Sequence, residues 1–342
     1  MPTTESTIKF SFVLCCFSVG VCHGLAMINT ELALTVSRLG DVWRLGNHKV
    51  ICGDSGDSNA ISKLMGGDLA KLCFTSPPYG YKRDYKNVMV DWDALMQSVF
   101  SNVPMDNDGQ VLVNLGLVHK NNECLFYWTD WCAWMKQIGW RQFGLYVWDQ
   151  GQGLPGHWSG RLAPNFELIF HFNKVTRIPN KIVKCKYAGY VRTRPFKLRG
   201  KANKDMKPVE HTTGDMKIPE SIVRVQKQSC AVSKTLDHPA VFPVKLPQFI
   251  YETYSNELDV VFEPFCGSGS SIIAAEITNR KLRGCEISPE YVDVSLMRFM
   301  NIYPSAIVTL EGSGLSFFEV AKDRGVHCDQ IYKDRMVQLD LL

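Results

Sequence analysis

Asp259-Val-Val-Phe-Glu-Pro-Phe-Cys-Gly-Ser-Gly269 reads as an apolar strand running into a glycine turn, with Ser270 and Ser271 opening the segment behind it. Strand, glycine turn and helix in that order mark the place where open α/β sheets bind ligands. Gly267 and Gly269 let backbone approach a bound group because neither carries a Cβ. Alone, the stretch suits a nicotinamide dinucleotide, another nucleoside ligand, or a mere tight turn. Two details weigh against the dinucleotide: the third glycine of its fingerprint is missing, and the acidic Glu263 precedes the turn. Glu263 can accept hydrogen bonds from a ligand's ammonium group. Glu286, about twenty residues further on at the end of the next apolar run, is placed to take both hydroxyls of a ribose, which supports an adenosyl group without naming the cofactor.

Outward from this stretch, short apolar runs alternate with amphipathic ones. Residues 48–53, 69–75, 110–115, 140–148, 166–172, 259–263 and 281–286 read as strands, and 57–65, 91–103, 123–138, 243–254, 270–279 and 289–300 as helices. The alternation predicts an α/β fold with a doubly wound, mostly parallel, Rossmann-like sheet. Trp128, Trp131, Cys132 and Met135 share one helix face, and this spacing favours core packing over base stacking. Trp148 and Trp158 instead flank a glycine-rich loop, 149–156, of the kind built for function or for a turn.

The run at 69–75 ends in Thr75-Ser76-Pro77-Pro78-Tyr79. Two prolines fix φ twice and remove two amide donors, so the strand stops in a rigid loop with outward carbonyls. Beside them stand a hydroxyl, Ser76, and an aromatic ring, Tyr79. This set suits a planar amine: Ser76 and the Ser76 or Pro77 carbonyl can accept its two protons while Tyr79 stacks on the ring. Accepting those protons localises the nitrogen lone pair and aims it at a methyl sulfonium without a strong base. The plain alternative is a proline-terminated strand with an incidental tyrosine.

The chain has 342 residues, 45% of them hydrophobic and 21% charged, as in ordinary globular proteins. Its net charge of +4 conceals an asymmetry. Residues 173–235 hold sixteen Lys/Arg against four Asp/Glu, a segment charge of +12 that leaves the rest at −8. A concentrated basic segment on an acidic protein is the electrostatic footprint of a polyanion ligand, or else a solvated insertion. The twelve cysteines are scattered through apolar runs without a Cys-x-x-Cys pair, and read as reduced thiols of a cytoplasmic protein with no metal site. The apolar run at 10–27 has the look of a signal-peptide core or short membrane segment. A start codon placed too far upstream, or the remnant of a lost domain, is the favoured reading, and no stable membrane association is expected.

The proline loop, the basic stretch and the glycine loop, in this order, resemble the β-class amino methyltransferases of DNA, the DNA methylase N-4/N-6 family. Leu45-Gly-Asn-His-Lys-Val-Ile-Cys-Gly-Asp-Ser55 resembles that family's opening strand, and His238-Pro-Ala-Val-Phe-Pro-Val244 its segment before the donor loop. The likeness runs from about residue 41 to 309. It implies S-adenosyl-L-methionine as methyl donor, with Asp54 near its adenine and Glu263, Phe265, Gly267 and Gly269 around its methionine part. Ser268 joins this cofactor-binding set, and Glu286 takes the ribose. Ser76, Pro77, Pro78 and Tyr79 become the catalytic loop that holds a flipped base. The implied division is a leader or remnant at 1–40, a catalytic half at 41–172, a target-recognition insertion at 173–235, a donor-binding half at 236–311 and a tail at 312–342.

Within the family, Thr-Ser-Pro-Pro-Tyr leans toward cytosine-N4 and Asp/Asn-Pro-Pro-Tyr toward adenine-N6. The Trp148-Asp-Gln-Gly151 loop with the basic insertion most resembles methylases of phages and prophages, in which a ParB-like domain often comes first. The expected partners are double-stranded DNA and a restriction endonuclease. Rival readings are a catalytically dead DNA-binding decoy and a methyltransferase of RNA or of a protein amide, the last disfavoured by the +12 segment.

Overall fold

A computed structural model describes residues 35–79, 91–153, 156–194, 197–198, 201–202, 209–227 and 242–326. The apolar run at 10–27 and residues 238–241 of the His-Pro segment lie outside them. The first half of the chain provides β1 (Val42–Leu45), β2 (His48–Cys52), α1 (Ser58–Met65), β3 (Ala70–Thr75), α2 (Trp92–Ser101), β4 (Met105–Leu115), the hairpin β5 (Val118–Lys120) and β6 (Glu123–Leu125), α3 (Thr129–Gln137), β7 (Arg141–Asp149) and β8 (Phe166–Asn173). The basic segment holds short strands, β9 (Val183–Lys184), β10 (Val191–Arg194), β11 (Lys197–Leu198), β12 (Lys201–Ala202), β13 (Val209–Thr212), β14 (Met216–Lys217) and β15 (Ile222–Arg224). Then come α4 (Lys245–Tyr254), β16 (Val260–Glu263), α5 (Ser270–Ile277), β17 (Lys281–Glu286), α6 (Pro289–Ile302), β18 (Val308–Leu310) and α7 (Phe317–Asp323).

Ten strands form one sheet in the order β15-β7-β8-β4-β3-β16-β17-β2-β1-β18. Pairing is parallel from β4 through β3, β16 and β17 to β2, and between β7 and β15. Strand β8 runs antiparallel between β4 and β7, and β1 runs antiparallel to β2 and β18. The expected doubly wound, mostly parallel sheet is therefore present. After β3 the chain moves outward to β4, whereas after β16 it moves the other way to β17. The β3/β16 boundary is thus the topological switch point, and a crevice opens outside the carboxyl ends of these two strands.

Side-chain alternation explains why both faces are covered. Val50, Leu72, Phe74, Leu112 and Val261 face the layer of α4, α5, α6 and α7, while Ile51, Cys73, Val111, Val113 and Phe262 face α1, α2 and α3. Trp131 of α3 is fully buried among Phe100, Phe172 and Trp92, with ring centroids 5.1–5.9 Å apart, which makes the aromatic helix face a core element.

Three expectations change in detail. The helix expected over 123–138 begins only at Thr129, because Asn121 and Asn122 take left-handed φ values of 51° and 64° and turn 118–125 into a hairpin. Residues 222–224 of the basic segment return to the main sheet beside β7. The stretch past 312, featureless in sequence, forms α7 with a Ser316/Glu319 capping box and buries Phe317 against Trp43.

Candidate active site

The crevice begins with a buried carboxylate. Glu263 ends β16 with no exposed surface, and Thr75, the last residue of β3, donates its hydroxyl to Oε1. Phe265 N also donates to Oε1 at 3.1 Å, and Ser271 Oγ donates to Oε2 at 2.9 Å. Burial pushes the Glu263 carboxyl up to about 8 despite these three donors, and the charge of Glu286 adds to the rise. Glu286 ends β17 with its Oε2 accepting from Gly267 N (2.8 Å) and its Oε1 from Ser288 N (2.9 Å). Burial raises its carboxyl as well, opposed by these backbone donors. Neither carboxylate has a basic partner among the described residues.

The other donor-side residues sit around this pair. Gly53 N donates to Glu286 O at 2.9 Å, which sets the exposed Asp54 beside the Glu286 strand end, and Asp54 Oδ1 takes Gly56 N at 2.8 Å. Gly267 and Gly269 have left-handed φ values of 52° and 83°. A Cβ on Gly269 would lie 2.8 Å from Ser295 Cβ, so packing of the turn on α6 already requires glycine there. Arg298 binds Ser268 O (3.2 Å) and Ser270 Oγ (3.1 Å), fixing the start of α5. Phe265 is half-buried and packs on the α1–α3 side of the sheet.

The Ser76-Pro-Pro-Tyr79 loop lies next to this carboxylate pair. Ser76 Oγ and Tyr79 OH are 2.9 Å apart, and Tyr79 OH donates to Glu167 Oε2 at 2.5 Å. Asn114 Nδ2 bridges the same group, 3.0 Å from Tyr79 OH and 2.5 Å from Glu167 Oε2. A carboxylate only accepts, so Glu167 orients the Tyr79 proton toward itself and lets the Ser76 proton turn to the tyrosine oxygen. Asn114 Nδ2 also reaches Ser76 Oγ at 3.4 Å, a long contact that leaves the second Ser76 lone pair for an incoming donor. Trp92 Nε1 pins Pro78 O at 2.7 Å. The Tyr79 ring is backed by Gly116, where a Cβ would stand 2.6 Å from Tyr79 Cε2. Asn114 Oδ1 is buried without a partner among the described residues.

Sequence reading thus marks both loops, Thr75 included though not its bond to Glu263, and misses Trp92, Asn114, Gly116 and Glu167. The available signal was polar residues inside apolar strands, Asn114 in Val-Leu-Val-Asn-Leu and Glu167 in Phe-Glu-Leu-Ile-Phe.

A sequence model described as DNA methylase, of N6 and N4 type, matches residues 70–297, well over half of the chain. The chain belongs to this DNA methylase family. The DNA methylase is 28% identical over 264 residues to the orphan methyltransferase M.BamHII of Bacillus amyloliquefaciens, covering 74% of this chain and 97% of that one. It is 24% identical over 280 residues to the type II methyltransferase M.PvuII of Proteus hauseri, covering 72% and 82%. Among solved structures, the PvuII DNA methyltransferase (cytosine-N4-specific) superposes with a TM-score of 0.54 at 20% identity, covering 84% of this chain and 95% of that one, a likeness of fold. A DNA methylase of this family uses S-adenosyl-L-methionine as methyl donor. The residues present fit that group, since two buried carboxylates without countercharge match a ligand bearing an ammonium, a sulfonium and a ribose diol. Among the described residues of the DNA methylase no three His, Cys, Asp or Glu side chains gather as a metal site, and no helix is long and apolar enough to cross a membrane.

Proposed function

We propose that the protein methylates the N4 amino group of a cytosine turned out of duplex DNA, at the Ser76-Pro77-Pro78-Tyr79 loop. The observation that carries this reading is the Ser76–Tyr79–Asn114–Glu167 hydrogen-bond cluster at the switch point, directly beside Glu263. The base would stack on the Tyr79 ring, which the Gly116 backbone supports from behind. Its amine would donate to Ser76 Oγ and to the Ser76 or Pro77 carbonyl, so that the nitrogen lone pair leaves conjugation with the ring. When bound, the donor supplies an electrophilic methyl group on sulfur. Asp54, Glu263, Phe265, Gly267, Ser268, Gly269 and Glu286 would hold it, with Glu263 near the ammonium and Glu286 at the ribose. Orientation and hydrogen bonding then provide most of the acceleration. Turning the base out costs a few kcal/mol, which stacking and phosphate contacts offset.

Residues 173–235 would contact the backbone of DNA. Lys186 lies 5.6 Å from the Tyr187 ring and Arg192 lies 5.7 Å from the Tyr190 ring, a pairing of cation and exposed aromatic that suits nucleic acid. Cytosine is favoured over adenine by the serine of the loop and by the cytosine-N4-specific PvuII neighbour. The type II relatives make a cognate restriction endonuclease a partner to seek, and a DNA substrate with an S-adenosylmethionine donor makes the cytoplasm the expected compartment. The deciding experiment incubates the protein with duplex DNA and tritiated methyl donor, then digests to nucleosides. N4-methylcytosine is the expected product, N6-methyladenine would move the target to adenine, and absence of label would leave a DNA-binding protein without catalysis.

A further inference from the structure

The glycine-rich loop after β7 borders a second cleft, which the methyl-transfer geometry does not use. Its volume is about 750 Å³, and its walls carry the side chains of Gln150, Gln152, Asn165 and Gln226 with one acid, Asp149, and one base, Lys227. The frame is held rigidly. Gln150 N donates to Asn165 O (2.8 Å) and Lys227 N to Gln150 O (3.1 Å), while Asp149 Oδ1 accepts from Gly151 N (3.0 Å) and Asn165 Nδ2 donates to Gly151 O (3.2 Å). Inside this frame Gln150 Nε2 is a buried donor with no partner among the described residues.

The chemistry of the walls narrows the ligand. Arg224 already faces Asp149 at 4.0 Å, so among the described residues Lys227 is the one cation the lining offers, a weak hold for a phosphate, and an apolar guest would strip water from four amides without replacing its hydrogen bonds. A side-chain amide presents a donor and an acceptor side by side, which is the pattern of a nucleobase edge. The position agrees. Asp149 pairs with Phe166, adjacent in sequence to Glu167 of the catalytic cluster, and β7 stands three places from β3 in the sheet. At ~4.8 Å per strand this is about 14 Å, a few steps of a DNA strand at ~3.4 Å each.

We infer that this cleft reads the edge of a nucleobase flanking the methylated one, an inference that rests on the DNA-methylating reading above. The test expresses the full chain as wild type, Gln150→Ala, Gln226→Ala and the near-isosteric Gln226→Glu. Host DNA is then read for modified bases at single-base resolution, and donor affinity is measured on each purified protein. Gln226 is exposed, so its substitution spares the fold. The two alanine variants are expected to lose roughly tenfold or more in discrimination at one flanking position, with donor affinity unchanged. Gln226→Glu, which removes the donor and keeps an acceptor, shifts that position toward bases presenting an amine. An unchanged sequence context in all variants, or a loss of rate spread evenly over every context, overturns the inference. A wild type that modifies no base in DNA overturns the methylating reading, and the cleft assignment with it.

Discussion

Tyr79 OH donates to Glu167 Oε2 at 2.5 Å across 88 residues of sequence, tying the catalytic loop at the end of β3 to the start of β8. The link sets the direction of the Tyr79 and Ser76 hydroxyl protons, because the carboxylate can only accept. Glu167→Gln keeps the shape and lets an amide donor face Tyr79. A hydrogen bond to a charged group contributes about 1.5–3 kcal/mol, so kcat should fall roughly 10- to 150-fold. Donor and DNA affinities should hold, and Glu167→Asp should recover part of the rate. Wild-type turnover in the glutamine variant would remove Glu167 from the mechanism.

Tyr79→Ala should abolish methylation and leave S-adenosylmethionine binding nearly intact, since the ring serves the base and not the donor. Tyr79→Phe separates the two contributions: stacking survives and the hydroxyl bridge is lost, giving an intermediate rate. Calorimetric titration with the donor checks the first point, and loss of donor binding there would sink the assigned role.

Gly116→Ala places a methyl group 2.6 Å from Tyr79 Cε2 and 2.9 Å from Cδ2, so the ring must shift. Overpacking of this kind costs about 1–3 kcal/mol. We expect a folded protein, lower in thermal midpoint, whose KM for DNA rises along with a fall in kcat. Unchanged kinetics would show that the ring position is not critical.

Glu263 carries a carboxyl raised from 4.5 to about 8, so it is mostly protonated at neutral pH in the free protein. A cationic donor bound beside it would favour the carboxylate and expel the proton. Donor binding at pH 7 should therefore release protons, seen as a dependence of calorimetric heat on the ionisation enthalpy of the buffer, and affinity should rise toward pH 8. Glu263→Gln should erase the buffer dependence. Identical heats in all buffers for the wild type would contradict a donor ammonium near Glu263.

His171 is buried with Tyr146 OH at 2.9 Å from Nδ1 and Gln110 Oε1 at 2.9 Å from Nε2, and burial lowers its pKa from 6.5 to about 4. A lowered value means that the unfolded chain takes up the proton first. The stability linked to His171 is complete above pH 6.5 and is lost as pH falls through about 4. For Glu263 the sign is opposite: its contribution is complete below pH 4.5 and is lost as pH rises through about 8. Chemical denaturation from pH 4 to 8 should show His171→Gln flattening the acid side of the stability curve and Glu263→Gln the alkaline side.

How much of this was legible beforehand follows from where the information lies in the chain. Ser76-Pro-Pro-Tyr79 and Phe265-Cys-Gly-Ser-Gly269 are local patterns whose backbone chemistry is fixed by proline and glycine, so they could be read directly. Asn114 and Glu167 could not. Each is one polar residue in an apolar strand, and only the β3-β4-β8 order brings both to Tyr79. Residues 123–125, inside the helix expected over 123–138, belong instead to the hairpin at 118–125, because Asn121 and Asn122 take left-handed conformations that close a turn.

By itself, the sequence determined the class of fold, the two strand-end loops and the concentration of positive charge, because periodicity, proline, glycine and net charge act over a few residues or over a whole segment. Only the tertiary structure decided that β16 inserts beside β3, so that Thr75 meets Glu263 and the proline loop faces the glycine loop. That pairing joins residues 188 apart in the chain, and its stability comes from burying both sheet faces at once rather than from any local preference.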